Sequence, residues 1–489
     1  RWLVGAFLVP AYYEREIYSP YDYMGNRLGE GVRRTTTLLF SLGGVLAQAS
    51  RVYLTAVLLE VILQPQLAAF EAATSIPPLA AAVLAIGLVA VLWTLLGGIA
   101  TVIWTDALLF LLFLIGVTAT LLTLNSGIEG GLSGAVSDAA AAGKLKLLDF
   151  DTNPVKAYTF WAALIGTTWW NLGIFGTDQL MTQRMFCCKN AKDAKKAIVS
   201  SYSAMIVTIA ISFIGIGFWA YYAQQPLTGL AKTLVEAKGD RIFPVFIVEV
   251  LPAGFKGLVV AGAFAAAISS LDSILAALSQ TTMSTVVVPL RKEKAERPGD
   301  VALSRVFVGL WAVVLCAVAI AMEQVAANFD SILDLALAMA TYTVGALIAA
   351  FFLAFWRVNV NGRGYPFAAA LSVGAVYATQ WHSTAAQTVC QILAAVVVLS
   401  WLVFQGPREL KNPGWGIIRL AALLAGGLLL WWISSFATFE PDGHWARRDE
   451  SAGTGLKSLA FPWCVPIGTL VAFGYTWLLS DKKPTPQPE

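Results

Sequence analysis

The sequence predicts an all-α polytopic membrane protein, on three observations. Its 489 residues are 57% hydrophobic and 13% charged, with 17 Trp and 26 Phe, and the mean hydropathy is +0.69. So few charges cannot coat a water-soluble body of this length. Apolar runs long enough to cross hydrocarbon recur along the chain, and clusters of Lys and Arg alternate between them.

A helix needs about 20 apolar residues to cross the hydrocarbon core. On that ruler complete spans fall near 35-60, 76-97, 99-124, 158-180, 198-223, 254-288, 301-322, 329-354, 365-381, 385-404, 414-436 and 460-480. The 254-288 run is one long helix or a span with a cytoplasmic extension. Before these spans, Trp2 to Tyr13 is apolar for only 12 residues and reads as the tail of a span whose start is missing, so the chain is expected to be N-terminally truncated.

Basic clusters at Arg15, Arg27, Arg33 and Arg34, then at Arg184, Lys189, Lys192, Lys195 and Lys196, then at Arg291, Lys292, Lys294 and Arg297, fall on one side of these spans. Arg357 and Arg363, Arg408 and Lys411, and Lys482 and Lys483 continue the alternation. The positive-inside rule then puts the C-terminus in the cytoplasm. The 125-157 loop and the 437-458 segment fall outside, the latter with Arg447 and Arg448 against the bias. The 242-251 segment is too brief to cross and is expected to lie as a helix against the outer face of the next span. No soluble domain has room.

Several function classes are excluded. A net charge of +3, with basic residues in short interhelical blocks, argues against a nucleic-acid partner. Of the five Cys, Cys187 and Cys188 adjoin a basic turn, and Cys316, Cys390 and Cys464 are isolated in apolar runs, so neither a disulfide framework nor a metal spacing exists. The two His, His382 and His444, sit in or near connections. No nucleophile and base are arrayed together, and an enzyme is not expected.

The chemistry lies in polar residues inside the spans, where they are costly unless paired, hydrated or used. Ser269, Ser270 and Asp272 fall at the middle of the 254-288 run and suggest an ion or solute passing through the membrane. Serines in membrane helices also bond back to carbonyls one turn earlier. Asp272 is two positions from Ser270 and does not share its face. Arg51, in the neutral stretch LGGVLAQASRVYLTAVLLEVIL with Gln48 one turn before it and Glu60 after it, needs a carboxylate, a water path or an anionic ligand. It is the best counter-ion if the solute is a carboxylate, and an internal ion pair is the competing reading. Asp106, in VIWTDALLF, would be neutral if unpaired and could remain ionised near a bound cation, with a structural helix-end contact near Gly97-Gly98 as the competing reading. Asp178 and Gln179 follow Trp169, Trp170, Asn171 and Phe175, so polar groups bordered by aromatic surface could recognise a solute and close over it, or form an interfacial belt. Asp330 and Asp334 face an outer vestibule, with capping an equal reading for Asp330.

Five stretches carry a resemblance: TLLGGIATVIWTDALLF at 94-110, GTDQLMTQRMFCCKNAKDAKKAI at 176-198, FPVFIVEVLPAGFKGLVVAGAFAAAISSLDSILAALSQTTMS at 243-284, FDSILDLALAMATYTVGALIAAFFLAF at 329-355 and FPWCVPIGTL at 461-470. In order and across essentially the whole chain they resemble the sodium:solute symporter family, which includes sodium-coupled sugar, proline, monocarboxylate and iodide carriers. The resemblance implies an inverted five-helix-repeat core at 1-354 lacking its first helix and part of its second, peripheral C-terminal transmembrane helices at 365-480, and a cytoplasmic tail at 481-489. It implies Na+ as coupling ion, without an organic cofactor. The Ser269 and Ser270 hydroxyls and the Ala266 carbonyl would hold the ion, and Asp106 would help release it inward. Leu109 stands where relatives often carry Gln, and Ile174, beside Phe175, stands where sugar carriers carry Tyr. That disfavours a sugar and tilts the solute toward an amino acid, a carboxylate or another small organic molecule. The implied function is sodium-coupled symport by alternating access, with a membrane solute sensor or sodium-dependent scaffold as the alternative. A long regulatory tail after 480 would mark a sensor, and DKKPTPQPE is short. The expected setting is the plasma membrane, or the inner membrane of a Gram-negative cell, with lipid as a partner and a homo-oligomer left open.

Overall fold

A computed structural model describes residues 1–17, 19–96, 99–146, 148–290, 299–329, 331–381, 384–410, 413–439, 445–447 and 459–482. All twelve expected spans are helical along most of their length, and among the described residues ten helices are long and apolar enough to cross a bilayer. The 365-381 run is a helix of 16 residues, Tyr365–Gln380, short of that criterion. Other ends shift by a few residues: Glu30–Ile62, Pro78–Leu96, Ala204–Gln224 and Asp300–Ala326 replace the expected 35-60, 76-97, 198-223 and 301-322.

Two expected spans are interrupted, the first for a visible reason. The 158-180 run begins with a π-helical turn, Ala162–Thr167, continues as Thr168–Gly176 and stops. Asp178 is extended (φ −80°, ψ 133°), and its carboxylate accepts the Leu180 and Met181 amides to cap a new helix, Gln179–Phe186. The 329-354 run divides into Ile332–Thr341 and Val344–Phe355. At the break Thr341 Oγ1 donates to the Ala338 carbonyl at 2.7 Å, a back-bond that the unbroken Glu30–Ile62 helix also carries at Ser50. The 254-288 run is continuous as Ala253–Thr282, extended by a π-helical turn at Met283–Val287.

The chain forms two interleaved compact units. The first holds Arg1–Gly43, Leu148–Val199 and Leu337–Glu489. Its centre is the Val344–Phe355 helix, buried continuously from Gly345 to Ala354. Tyr12 stacks on Phe351 with ring centroids 5.9 Å apart and donates its hydroxyl proton to the Gly176 carbonyl. The Phe461–Leu479 helix packs against Val344–Phe355 and Tyr365–Gln380. Ser372 Oγ donates to the Gly468 carbonyl at 2.7 Å, and Trp169 Nε1 donates to Thr469 Oγ1 at 3.0 Å. Packing and such bonds hold helices together where lipid removes the hydrophobic drive. Outside the spans, Asp149, Asp151 and Asn153 each accept an amide two residues on, and the hydrogen bond and charge of Asp151 raise the Lys156 ammonium above its usual pKa.

The second unit holds Gly44–Leu147 and Ser200–Ala336. Here Ala253–Thr282 packs against Pro78–Leu96, Ile99–Gly127 and Asp300–Ala326. Ser279 Oγ donates to the Ser304 carbonyl at 2.7 Å, and Trp311 Nε1 donates to Thr282 Oγ1 at 2.9 Å. The 242-251 segment forms a helix, Ile242–Glu249, as expected, but is set deeper than a surface element. Phe246 and Ile247 are fully buried among Leu124, Phe218 and Val259, with the Phe246 ring 4.9 Å from that of Phe218. The supposed 125-157 loop carries a helix, Gly131–Ala141, and Gly229–Ala237 is a second helix outside the spans.

Gly345 marks a close approach of two helix backbones. A Cβ there would lie 2.8 Å from the Gly468 carbonyl carbon and the Thr469 nitrogen, backbone atoms that cannot turn aside. Gly345→Leu is therefore expected to cost about 1–3 kcal/mol or more by overpacking. A thermal melt in detergent should show a lower midpoint, and an unchanged midpoint would refute the contact.

Candidate functional site

Within the second unit, a cavity of about 630 Å³ gathers the sequence-predicted polar residues Arg51 and Ser270 together with Ala266. Its walls are otherwise mainly apolar, with Phe113, Phe218, Phe243 and Val259 among them. Two further hydroxyls at the wall are already committed. Thr55 Oγ1 donates to the Arg51 carbonyl at 3.1 Å, and Thr120 Oγ1 donates to the Gly116 carbonyl at 2.9 Å. The groups that give the cavity its chemistry are thus the Arg51 guanidinium, the Asp240 carboxylate and the oxygens of Ser270 and Ala266.

Helix geometry explains the serine arrangement. Ser270 and Ala266 are four apart and share a face, and Ser270 Oγ donates to the Ala266 carbonyl at 3.2 Å. The donated proton leaves the hydroxyl lone pairs available to a further partner, and the carbonyl keeps a second lone pair. Ser269 contributes its carbonyl to Ser273 Oγ at 3.2 Å. Ser273 Oγ also lies 3.2 Å from Asp272 Oδ1, and Asp272 is 2% exposed. Asp272 is absent from the cavity wall that includes Ser270, consistent with their different faces.

Arg51 is exposed at this wall. Gln48, one turn away, is 8% exposed, and its Oε1 finds no donor among the described residues. Glu60, later on the same helix, pairs with Arg241 at 3.6 Å. The neighbouring Asp240 accepts the Ile332 amide at 3.0 Å and lines the cavity. Sequence reasoning missed Asp240 and Arg241. The available signal was a charged GDR turn directly before an apolar segment too short to span.

The other candidates stand elsewhere. Asp178, Gln179, Phe175 and Ile174 belong to the first unit. Asp178 serves as the helix cap described above, the Phe175 ring lies 4.6 Å beneath the Arg1 guanidinium, and Ile174 is half-buried. Gln179 Oε1 is buried without a donor among the described residues. Asp334 and Ser331 cap each other, with Ser331 Oγ donating to Asp334 Oδ2 at 2.8 Å and accepting the Asp334 amide at 3.1 Å. The side chain of Asp106, Asp330, and both His382 and His444 lie outside the described residues.

Comparison with known proteins gives a consistent result. The profile of the sodium:solute symporter family matches residues 1–371. The sodium-coupled monocarboxylate transporter 2 of Bos taurus is 29% identical over 289 residues, 58% of this chain and 44% of that protein. The human sodium-coupled monocarboxylate transporter 1 is 28% identical over 360 residues, 73% of this chain and 55% of that protein. The chain therefore spans about half the length of the curated relatives it matches. A solved structure of a Na+-coupled sialic acid symporter, in a substrate-bound outward-open state, superposes with a TM-score of 0.63 at 20% identity, over 98% of this chain and 82% of that one. The shared fold is an all-α membrane core of inverted five-helix repeats.

If Asp178 acts chiefly as a cap, Asp178→Ala should cost about 0.5–2 kcal/mol, and Asp178→Ser or Asp178→Asn should recover most of it. Melting midpoints of the three variants test this; equal losses in all three would deny the cap.

Proposed function

Because this chain belongs to the sodium:solute symporter family, we propose that it couples sodium entry to the uptake of a small organic carboxylate. One observation carries the reading: a single cavity presents the Arg51 guanidinium together with the Ala266 and Ser270 oxygens. A guanidinium offers a carboxylate two parallel N–H donors, and neutral oxygens suit a small hard cation that must later be let go. The names of the monocarboxylate and sialic acid carriers among the similar proteins support the same solute class.

In this reading the Ser269 and Ser270 hydroxyls and the Ala266 carbonyl take the sodium ion as cargo, with Asp106 on its inward route. Ser270 then turns its proton away from the Ala266 carbonyl, so that both oxygens face the cation. Arg51 orients the solute carboxylate, and the Gln48 amide oxygen supplies an acceptor for a solute hydroxyl or for the ion. Ile174, Phe175, Asp178 and Gln179 serve solute recognition or gating, Asp178 by fixing the start of its helix. Coupling requires that the doubly loaded carrier change access more readily than the sodium-only form. The alternating Lys and Arg clusters support a cytoplasmic C-terminus, and uptake driven by sodium entry would place the protein in the plasma membrane, or in the inner membrane of a Gram-negative cell.

Charge bookkeeping separates stoichiometries. One sodium with one monocarboxylate moves no net charge, so membrane potential does no work on the cycle. Each additional sodium adds about 2.3 kcal/mol per 100 mV.

Uptake of labelled carboxylates, amino acids and sugars into sealed vesicles holding the intact protein is expected to require external sodium. Ser270→Ala should raise the half-saturating sodium concentration at least tenfold, and Arg51→Gln should cut carboxylate uptake at least tenfold. Sodium-independent uptake would remove the symport reading, and unimpaired carboxylate uptake by Arg51→Gln would remove the solute assignment.

A further inference from the structure

A second cavity, of about 660 Å³, lies wholly within the first unit and is chemically divided. One end is polar, lined by Glu30, Asn361, Arg363 and Gln405. Hydrocarbon side chains line the rest, among them Phe367, Leu393, Val396 and Phe404, with Val396 55% exposed and Phe404 70% exposed. The polar end is built rigidly. Gly362 has φ +67°, and a Cβ there would lie 2.4 Å from the Leu28 carbonyl oxygen, so this turn sits directly against the start of the Glu30–Ile62 helix. The apolar face belongs to the Tyr365–Gln380 and Thr384–Phe404 helices.

We propose that this groove binds one zwitterionic amine phospholipid, phosphatidylethanolamine, with its phosphate on Arg363, its ammonium on Glu30 and an acyl chain along Val396 and Phe404. The charge pattern selects this occupant. The Glu30 carboxylate is half-exposed and already bridged by Arg33 at 3.5 Å and Arg34 at 3.1 Å, yet two carboxylate oxygens offer about four acceptor sites. Arg363 is half-exposed and pairs with Asp481 only at 3.6 Å. Exposed ion pairs of this kind contribute about 0–1 kcal/mol, so a headgroup can join or replace them. A primary ammonium brings N–H donors to Glu30. A choline headgroup has none, and a glycerol headgroup has no cation. The level also fits, because the groove lies beside the basic clusters at Arg33–Arg34 and Arg357–Arg363, which the charge rule sets at a membrane surface. The proposal rests on the membrane setting and is independent of the solute assignment.

Native mass spectrometry of the intact protein, released from vesicles of equal phosphatidylethanolamine, phosphatidylcholine and phosphatidylglycerol, tests it. The unaltered protein is expected to retain one phosphatidylethanolamine at least tenfold over the other two. Val396→Trp, which fills the groove, should abolish retention, and Glu30→Gln should erase the headgroup preference. Val313→Trp, on an equally exposed face of the second unit, should change neither. Equal retention of the three lipids by the unaltered protein, undiminished retention by Val396→Trp, or an equal loss in Val313→Trp would each overturn the proposal.

Discussion

Every polar group carried into hydrocarbon must find its partner within the protein, because lipid supplies none. The chain obeys this with short local bonds. Thr36, Ser41, Thr55, Thr120, Thr469 and Thr476 each hand their hydroxyl proton to a carbonyl one turn back. Such residues are polar in composition and nearly apolar in effect. Against that background the grouping carries the information: one cavity wall presents the Arg51 side chain beside the Ser270–Ala266 back-bond, while the buried Gln48 oxygen lacks a donor among the described residues.

The same constraint explains what was legible in the sequence. A helix that must cross hydrocarbon needs a long apolar run, so ten of the twelve expected spans match helices of crossing length among the described residues, and the basic clusters gave an independent check. Their interruptions follow local side-chain chemistry that an apolar count does not weigh. Asp178 reads as a polar group near a pocket, yet its carboxylate starts a helix. The break before Val344 falls on Thr341, Tyr342 and Thr343, a polar dip too short to interrupt an apolar count. Helices outside the bilayer were missed because Gly131–Ala141 lies in a glycine- and alanine-rich stretch without a crossing length, where composition alone looks like a loop.

Of the candidate site, the residue types were legible and their grouping was not. Ser270 with Ala266 follows from helical spacing, since positions four apart share a face. That Arg51 lines the same cavity depends on how separate helices pack, which no single-helix periodicity contains. Asp240 was invisible for the same reason. It is an ordinary turn aspartate until the fold brings it to the Ile332 amide, 92 positions away in the chain.

The Ser270–Ala266 bond also bears on how a carrier can hold an ion without keeping it. An empty site of bare oxygens in a low-dielectric setting would be costly, and a site of fixed carboxylates would bind a cation too firmly to release it. A hydroxyl bonded to its own helix avoids both. Its net worth is about 1 kcal/mol, so under the proposed assignment an arriving ion would displace only a weak internal partner, which would reform on departure. Under the proposed assignment the back-bond and ion ligation are alternatives open to one hydroxyl.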